Sequence, residues 1–380
     1  MLRQITLMSR KTHHQLSRFM ASQSEQKYSQ NNYYSIISNT DAENFLAYFP
    51  KIVNDVVDHN LVSSISEVNK RLADVLNYNV PHGSHASPHL LIYSYKYMEN
   101  YNKTYDEEKM SEAFQMAWCL DILRCMSLVI DDVIDDSEQR RGEKTWYKLQ
   151  GNQAICDGLL LQPCYLKLLE KYFGLKDSYV QILDTFNNAG IDTVVGESLH
   201  FEVQKVKSFT TENFRMIAKH KTSPIGFHAP LKLASLLSNQ NINFKDRSIS
   251  IILDELGILH QIQNDFYDCY GEDLIGKVGD DIQNNVCTIL IATALEKGSI
   301  DQRRRLLECY GYHDSEKVST VKAIYRDLKL QEEYYHLEEN SRRVISTELK
   351  KIDNVFLRNL LENYCSHVYG RFRTEILDGL

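Results

Sequence analysis

Glycine and proline are scarce, at 16 and 6 of 380 residues. That is about half their ordinary share, so tight turns are few and regular elements are long, which favours an all-α fold. The eight cysteines form no CxxC pair and show no regular spacing, which excludes a disulfide framework or a zinc signature and fits a reducing compartment. No uninterrupted apolar run approaches the roughly 18 residues of a membrane-spanning helix, so no membrane span is expected. The basic excess of a nucleic-acid surface is also missing, because the net charge is −8. An acidic chain that binds anions needs metal ions or a local basic pocket. What the chain does have is 43% hydrophobic and 25% charged residues over a length sufficient for a large core.

The first 24 residues carry Arg3, Arg10, Lys11 and Arg18 and no acid before Glu25. Residues 1–38 therefore read as a leader, either a mitochondrial transit peptide or a plain extension, and leave the location cytoplasmic or mitochondrial. From residue 39 helical patterns follow one another to residue 380 with short breaks near 137–144 and 271–285, as one domain without internal repeats. Between Leu120 and Ile130 apolar side chains occupy nearly every helical face, as in a helix at the centre of a bundle. A second such helix runs from Ile251 through Leu259 into Gln261. His82, His85 and His89 fall among Pro81, Gly83 and Pro88, which break any helix that would align them, so they read as incidental loop histidines.

Both apolar helices end in acids. Asp131, Asp132, Asp135 and Asp136 follow the first, and Asp131 and Asp135, at i and i+4, project from one face. Such a pair of hard oxygen donors suits Mg2+ that completes its shell with water and phosphate oxygens. Like charges at this spacing destabilise a helix, so something positive must offset them. The second helix carries Asn264, Asp265, Asp268 and Glu272, with Asn264, Asp268 and Glu272 four residues apart on one stripe. An amide oxygen at Asn264 remains a possible ligand. Arg140, Arg141, Lys221 and Lys277 supply cations for phosphate recognition, although each singly reads as ordinary surface charge.

The passages LVIDDVIDDSEQRRGEKTWY (128–147), HKT (220–222) and QIQNDFYDCYGEDLIGKVGDDIQNN (261–285) resemble the trans-isoprenyl diphosphate synthases, of the farnesyl diphosphate synthase type, in order and over most of residues 75–370. The resemblance implies a bundle of helices around a central apolar pocket, a homodimer, and two acidic motifs holding three Mg2+, for which Mn2+ substitutes. It places the metal region at Asp131, Asp132, Asp135, Asn264, Asp265, Asp268 and Glu272. The allylic diphosphate falls to Arg140, Arg141, Lys221 and Lys277, with Gln263 beside them. Met126 and Ser127 stand at the pocket positions that are commonly bulky aromatics, which implies a reshaped or enlarged pocket.

The same resemblance exposes departures. Ser84 and Ser87 occupy the positions of the Lys and Arg that hold the second, isopentenyl diphosphate, and a third contact falls near Ser111. Two lost charge-assisted bonds would weaken that site by roughly 10²-fold or more. His200 replaces the Asp of a Gly-Gln-x-x-Asp helix, and Asn264 the first Asp of the second motif. These changes imply a terpene synthase, as in the insect enzymes derived from such synthases. It would ionise farnesyl diphosphate and convert the cation to a sesquiterpene hydrocarbon or alcohol, with Asp131, Asp135, Arg140 and Lys221 as catalytic groups. Phe201, Phe227 and Phe266 offer cation–π faces, against core packing as the alternative for each. The competing readings are a condensing prenyltransferase and a catalytically silent subunit.

Overall fold

Long helices with few turns account for nearly all of the computed structural model, which describes residues 36–58, 60–101, 107–275 and 279–370. Residues 1–35 of the leader lie outside these. The helices are α1 (Asn39–Val57), α2 (Ser66–Asn79), α3 (Ala86–Tyr101), α4 (Glu107–Ile134), α5 (Trp146–Gln150), α6 (Gln153–Phe173), α7 (Tyr179–Val206) and α8 (Thr211–Lys221). There follow a π-helical turn (Pro224–His228), α9 (Ala229–Leu237), α10 (Arg247–Ile275), α11 (Ile289–Lys297), α12 (Ile300–Cys309), α13 (Ser315–Asp327), α14 (Leu330–Leu349) and α15 (Val355–Gly370). The expected all-α fold is what forms.

α4 lies in the core because it has almost no polar face: Met116, Ala117, Trp118, Leu120, Ile122 and Leu123 are fully buried. Phe45 of α1 stacks on Trp118 at 4.0 Å between ring centroids and accepts the indole N–H on its carbonyl. Met110–Ile134 has the length and mean hydropathy (1.5) of a membrane span, but 67% of its most apolar window is buried inside the protein. Asp121 and Arg124 interrupt the stretch, and neither faces oil alone, since Arg124 Nε donates to Asp121 at 2.8 Å.

Two apolar cores form. The larger joins α1–α6, the first part of α7, α9, the end of α14 and α15, and the smaller joins the end of α7, α8, α11–α13 and the start of α14. Helix α10 serves both, with Ile249, Ile252 and Leu256 in the first core and Ile262, Phe266 and Cys269 in the second.

Among the described residues one strand pair interrupts the helical pattern. Gln139–Arg140 and Glu143–Lys144 form a hairpin, with Gln139 opposite Lys144 and Arg140 opposite Glu143. Its two tip residues, Arg141 and Gly142, both have positive φ (58° and 78°), the geometry a two-residue hairpin demands. The hairpin folds Arg140 back toward the end of α4.

The histidine loop departs from expectation. Pro88 sits in the first turn of α3, where a proline is tolerated. His85, 1% exposed and at φ 47°, places Nδ1 2.6 Å from Asp121 Oδ2. His85 is thus a buried partner of α4 and not an incidental loop residue.

Candidate functional site

The site starts from the polar end of α4. Arg140 Nε donates to Asp132 at 2.7 Å and Arg140 Nη2 to Asp131 at 3.0 Å, while Lys221 Nζ donates to Asp131 at 2.9 Å. Lys221 also meets Glu197 of α7 at 2.5 Å. These are the offsetting cations that the crowded carboxylates required. Burial works against the Asp131 charge, but Lys221 and Arg140 outweigh it and hold the carboxyl below its usual range. Burial likewise opposes the Lys221 ammonium, and Asp131 and Glu197 overcome it. Asp132 and Asp135 go the other way. Burial pushes Asp132 up to about 6 in spite of Arg140, and burial with the Asp131 charge pushes Asp135 up to about 6. Asp136 turns away to Lys148.

Helix α8 delivers Lys221 because α7 and α8 cross at Gly196. A Cβ there would stand 2.4 Å from the Lys221 backbone nitrogen. The π-helical turn follows at once, its wide i to i+5 bond running from Ala229 N–H to the Pro224 carbonyl. Thr222 Oγ1 donates to Gln261 Oε1 at 3.2 Å and so ties α8 to the second acidic stripe.

That stripe consists of Gln261, Asn264, Asp265 and Asp268, which share one face of α10. Gln261 Nε2 donates to Asp265 at 2.9 Å, and the Ile289 N–H at the start of α11 donates to the other Asp265 oxygen at 2.8 Å. Asp265 therefore holds down a helix end. Burial raises its pKa against the Ile289 and Gln261 hydrogen bonds and, more weakly, the Lys221 charge, all of which lower it. Lys221 is thus in electrostatic reach of both acidic clusters. Asp268 accepts the Asp281 N–H at 3.0 Å, and oxygens of Asp268, Asp280 and Asp281 lie within 4.8 Å of one another. The side chain of Glu272, and Lys277 altogether, lie outside the described residues.

Several expected positions move. Gln263 is two residues from Gln261 and so points from the opposite face of α10; it is buried and donates to the Val368 carbonyl at 3.0 Å. Phe266, 2% exposed, stacks on Tyr334 at 4.1 Å and belongs to the smaller core. Phe227 is buried in the larger core with its ring edge-on to His260. Phe201 is 39% exposed, one turn beyond Glu197 on α7. Met126 packs half-buried on the larger core, and Ser127 Oγ donates to the Leu123 carbonyl at 3.4 Å.

Gln261, Glu197, Asp280 and Asp281 were not singled out from the sequence. Counting α10 at 100° per residue from Asp268 finds Gln261. For Glu197 the signal is its place in the Gly-Gln-x-x-Asp pattern, directly after Gly196 and three residues before His200, although its meeting with Lys221 depends on the helix crossing.

Around the loop before α3, Arg141 Nη1 donates to the Asn79 carbonyl at 3.2 Å and its guanidinium lies over Gly83. Desolvation, then the neighbouring Arg124 charge, push Arg141 down to about 10. Arg124 is thus a second cation near this loop. Ser84 is exposed and Ser87 buried.

Residues 69–328 match the polyprenyl synthetase family. Farnesyl pyrophosphate synthase of Gallus gallus is 30% identical over 345 residues, covering 88% of this chain and 94% of that protein. The farnesyl pyrophosphate synthase of Murgantia histrionica is 30% identical, over 88% and 83%. A bifunctional chrysanthemol synthase of Tanacetum cinerariifolium is 31% identical, over 88% and 86%. With paired carboxylates at the end of one core helix, a second acidic stripe on another and a lysine in reach of both, the chain belongs to the polyprenyl synthetase family, the trans-isoprenyl diphosphate synthases.

Proposed function

We propose that the chain ionises an allylic prenyl diphosphate, most simply farnesyl diphosphate, and lets the cation react within itself to give a sesquiterpene hydrocarbon or alcohol. One observation carries this reading: the loop that would hold a second diphosphate offers only Ser84 and Ser87, and Arg141 beside it is engaged by Asn79 and packed over Gly83. The donor set fits Mg2+, since Asp131 and Asp135 on one side and Asp268, Asp280 and Asp281 on the other are hard oxygen ligands. When bound, the ions neutralise the departing diphosphate. Lys221 and Arg140 bind its oxygens, and Asp132 and Glu197 hold Arg140 and Lys221 in place.

A second reading, condensation with isopentenyl diphosphate, is favoured by the farnesyl pyrophosphate synthases among the relatives and by Arg124 standing near Arg141. Incubation with Mg2+ and farnesyl diphosphate alone, beside dimethylallyl plus isopentenyl diphosphate, separates the two. A terpene from the first mixture and no elongation in the second supports the first reading; farnesyl diphosphate from the second mixture replaces it with the other. We also infer a homodimer, in which Ile191, Val194 and Val195 of α7 with Ile155 and Leu159 of α6, all exposed, are covered.

Metal binding should depend on pH through Asp135. Its proton is held up to about 6, so a cation must displace it below that pH. Affinity is expected to be about tenfold weaker at pH 5 than at pH 7, with proton release on binding, as read by calorimetry in two buffers. Equal affinity at both pH values would remove Asp135 from the ligand set.

A further inference from the structure

Arg140 reaches Asp131 and Asp132 from a hairpin that cannot hold itself in place. With two residues to a strand it pairs too little backbone to be stable alone, so its position is set by what grips it. Thr145 closes the base, its N–H donating to the Glu138 carbonyl at 3.1 Å and its Oγ1 to the Ser137 carbonyl at 2.7 Å. The second strand is held from outside. Tyr78 Oη, in the last turn of α2, donates to the Lys144 carbonyl at 2.7 Å. Trp146, next along the chain after Thr145, is 6% exposed and donates its indole N–H to Asp157 Oδ2 of α6 at 2.7 Å. Asp157 is itself 1% exposed, and Arg71 of α2 clamps it, with Nε on Oδ1 at 2.8 Å and Nη2 on Oδ2. The third nitrogen of that guanidinium, Nη1, donates to Gln150 Oε1 of α5 at 3.0 Å. One buried carboxylate thus ties α2, α5 and α6 to the foot of the hairpin.

Arg71, Asp157, Trp146 and Tyr78 make no bond to Asp131, Asp132 or Lys221 among the described residues, so any effect they have on the site passes through the hairpin. We propose that Asp157 is a positioning residue for Arg140: through Trp146 and the second strand it fixes the backbone from which the guanidinium reaches the diphosphate. Asp131 and Asp132 orient the tip of that side chain, and the Asp157 clasp sets where its stem begins. A planar guanidinium binds phosphate oxygens in a fixed fork geometry, and a misplacement of about 1 Å in such a group costs up to about 10²-fold. The role rests on the reading that Arg140 binds the departing diphosphate, whichever product forms.

The test measures binding of inorganic diphosphate with Mg2+ by calorimetry, beside diphosphate release from both substrate mixtures, in Asp157→Asn and Trp146→Phe, each with and without Arg140→Ala. In Asp157→Asn the amide sets its NH2 against a donor in either orientation, Arg71 Nε or Trp146 Nε1, so the clasp opens. Trp146→Phe removes the indole N–H while Asp157 stays paired with Arg71, and it carries the test if Asp157→Asn does not fold. Arg140→Ala is expected to weaken binding about 30-fold, and Asp157→Asn and Trp146→Phe about fivefold each. In the Arg140→Ala background the same two changes should weaken it less than about twofold, since the side chain they position is gone. A clasp that only stabilises the fold would lower the melting temperature and leave binding alone, or weaken it equally in both backgrounds; either result overturns the role. So does an Arg140→Ala variant that binds like wild type, or a wild-type chain that binds no diphosphate. A wild-type chain that binds diphosphate yet releases none from either mixture overturns the ionisation proposed above, while the binding ratios still decide the role of Asp157.

Discussion

Asp131→Asn is expected to lower turnover by about 10³-fold while moving the melting temperature little. The carboxylate is the one group that Lys221 and Arg140 both hold, and it shares a helical face with Asp135. Replacing it by an amide removes a charge from the metal-facing pair and turns an NH2 toward one of the two cations. The fold should survive, since Lys221 keeps Glu197 and Arg140 keeps Asp132. Steady-state turnover and thermal melting on the same preparation check this. Turnover within tenfold of wild type would mean that ionisation does not take place at this end of α4.

Gly196→Ala is expected to cost about 3 kcal/mol and to lower the melting temperature by roughly 4 °C. The added methyl would meet the Lys221 nitrogen at 2.4 Å and the His220 carbonyl carbon at 2.8 Å, and backbone cannot swing aside as a side-chain tip can. Helices α7 and α8 must part, which also withdraws Lys221 from Asp131, so activity should fall further than stability alone dictates. Gly190→Ala, on the same helix, is the control: its nearest neighbour is Leu123 Cδ1 at 3.8 Å, an ordinary contact. That variant should melt at or above the wild-type temperature, because alanine suits a helix better than glycine. Equal melting of both variants would show that the crossing at Gly196 has room to relax.

The fold and half of the site were legible for a shared reason. Apolar periodicity marks helices that must be buried, and carboxylates at the end of such a helix demand cations, so Asp131, Asp135, Arg140 and Lys221 could be named together. What periodicity does not carry is which helix a given face will meet. Gln263 looked equivalent to its neighbours in the string, yet 200° of rotation from Gln261 sends it to α15 instead of the cleft. Phe266 lies within the acidic motif and still points into the smaller core, where Tyr334 is waiting. The Glu197–Lys221 contact depends on one close approach between helices, at Gly196, and the string does not say which helix the crossing will meet. His85 shows the same limit, for its partner Asp121 is 36 residues away and nothing local announces the pair.

Helix α10 contributes Leu256 and Leu259 to one core and Ile262 and Phe266 to the other, without a break between them. Neither core can melt while this rod stays helical and packed, and neither can keep its packing once the rod unwinds. The two halves are therefore bound into one cooperative transition, and the acidic stripe, set on the segment where they join, sits on backbone that opens only when the whole molecule does.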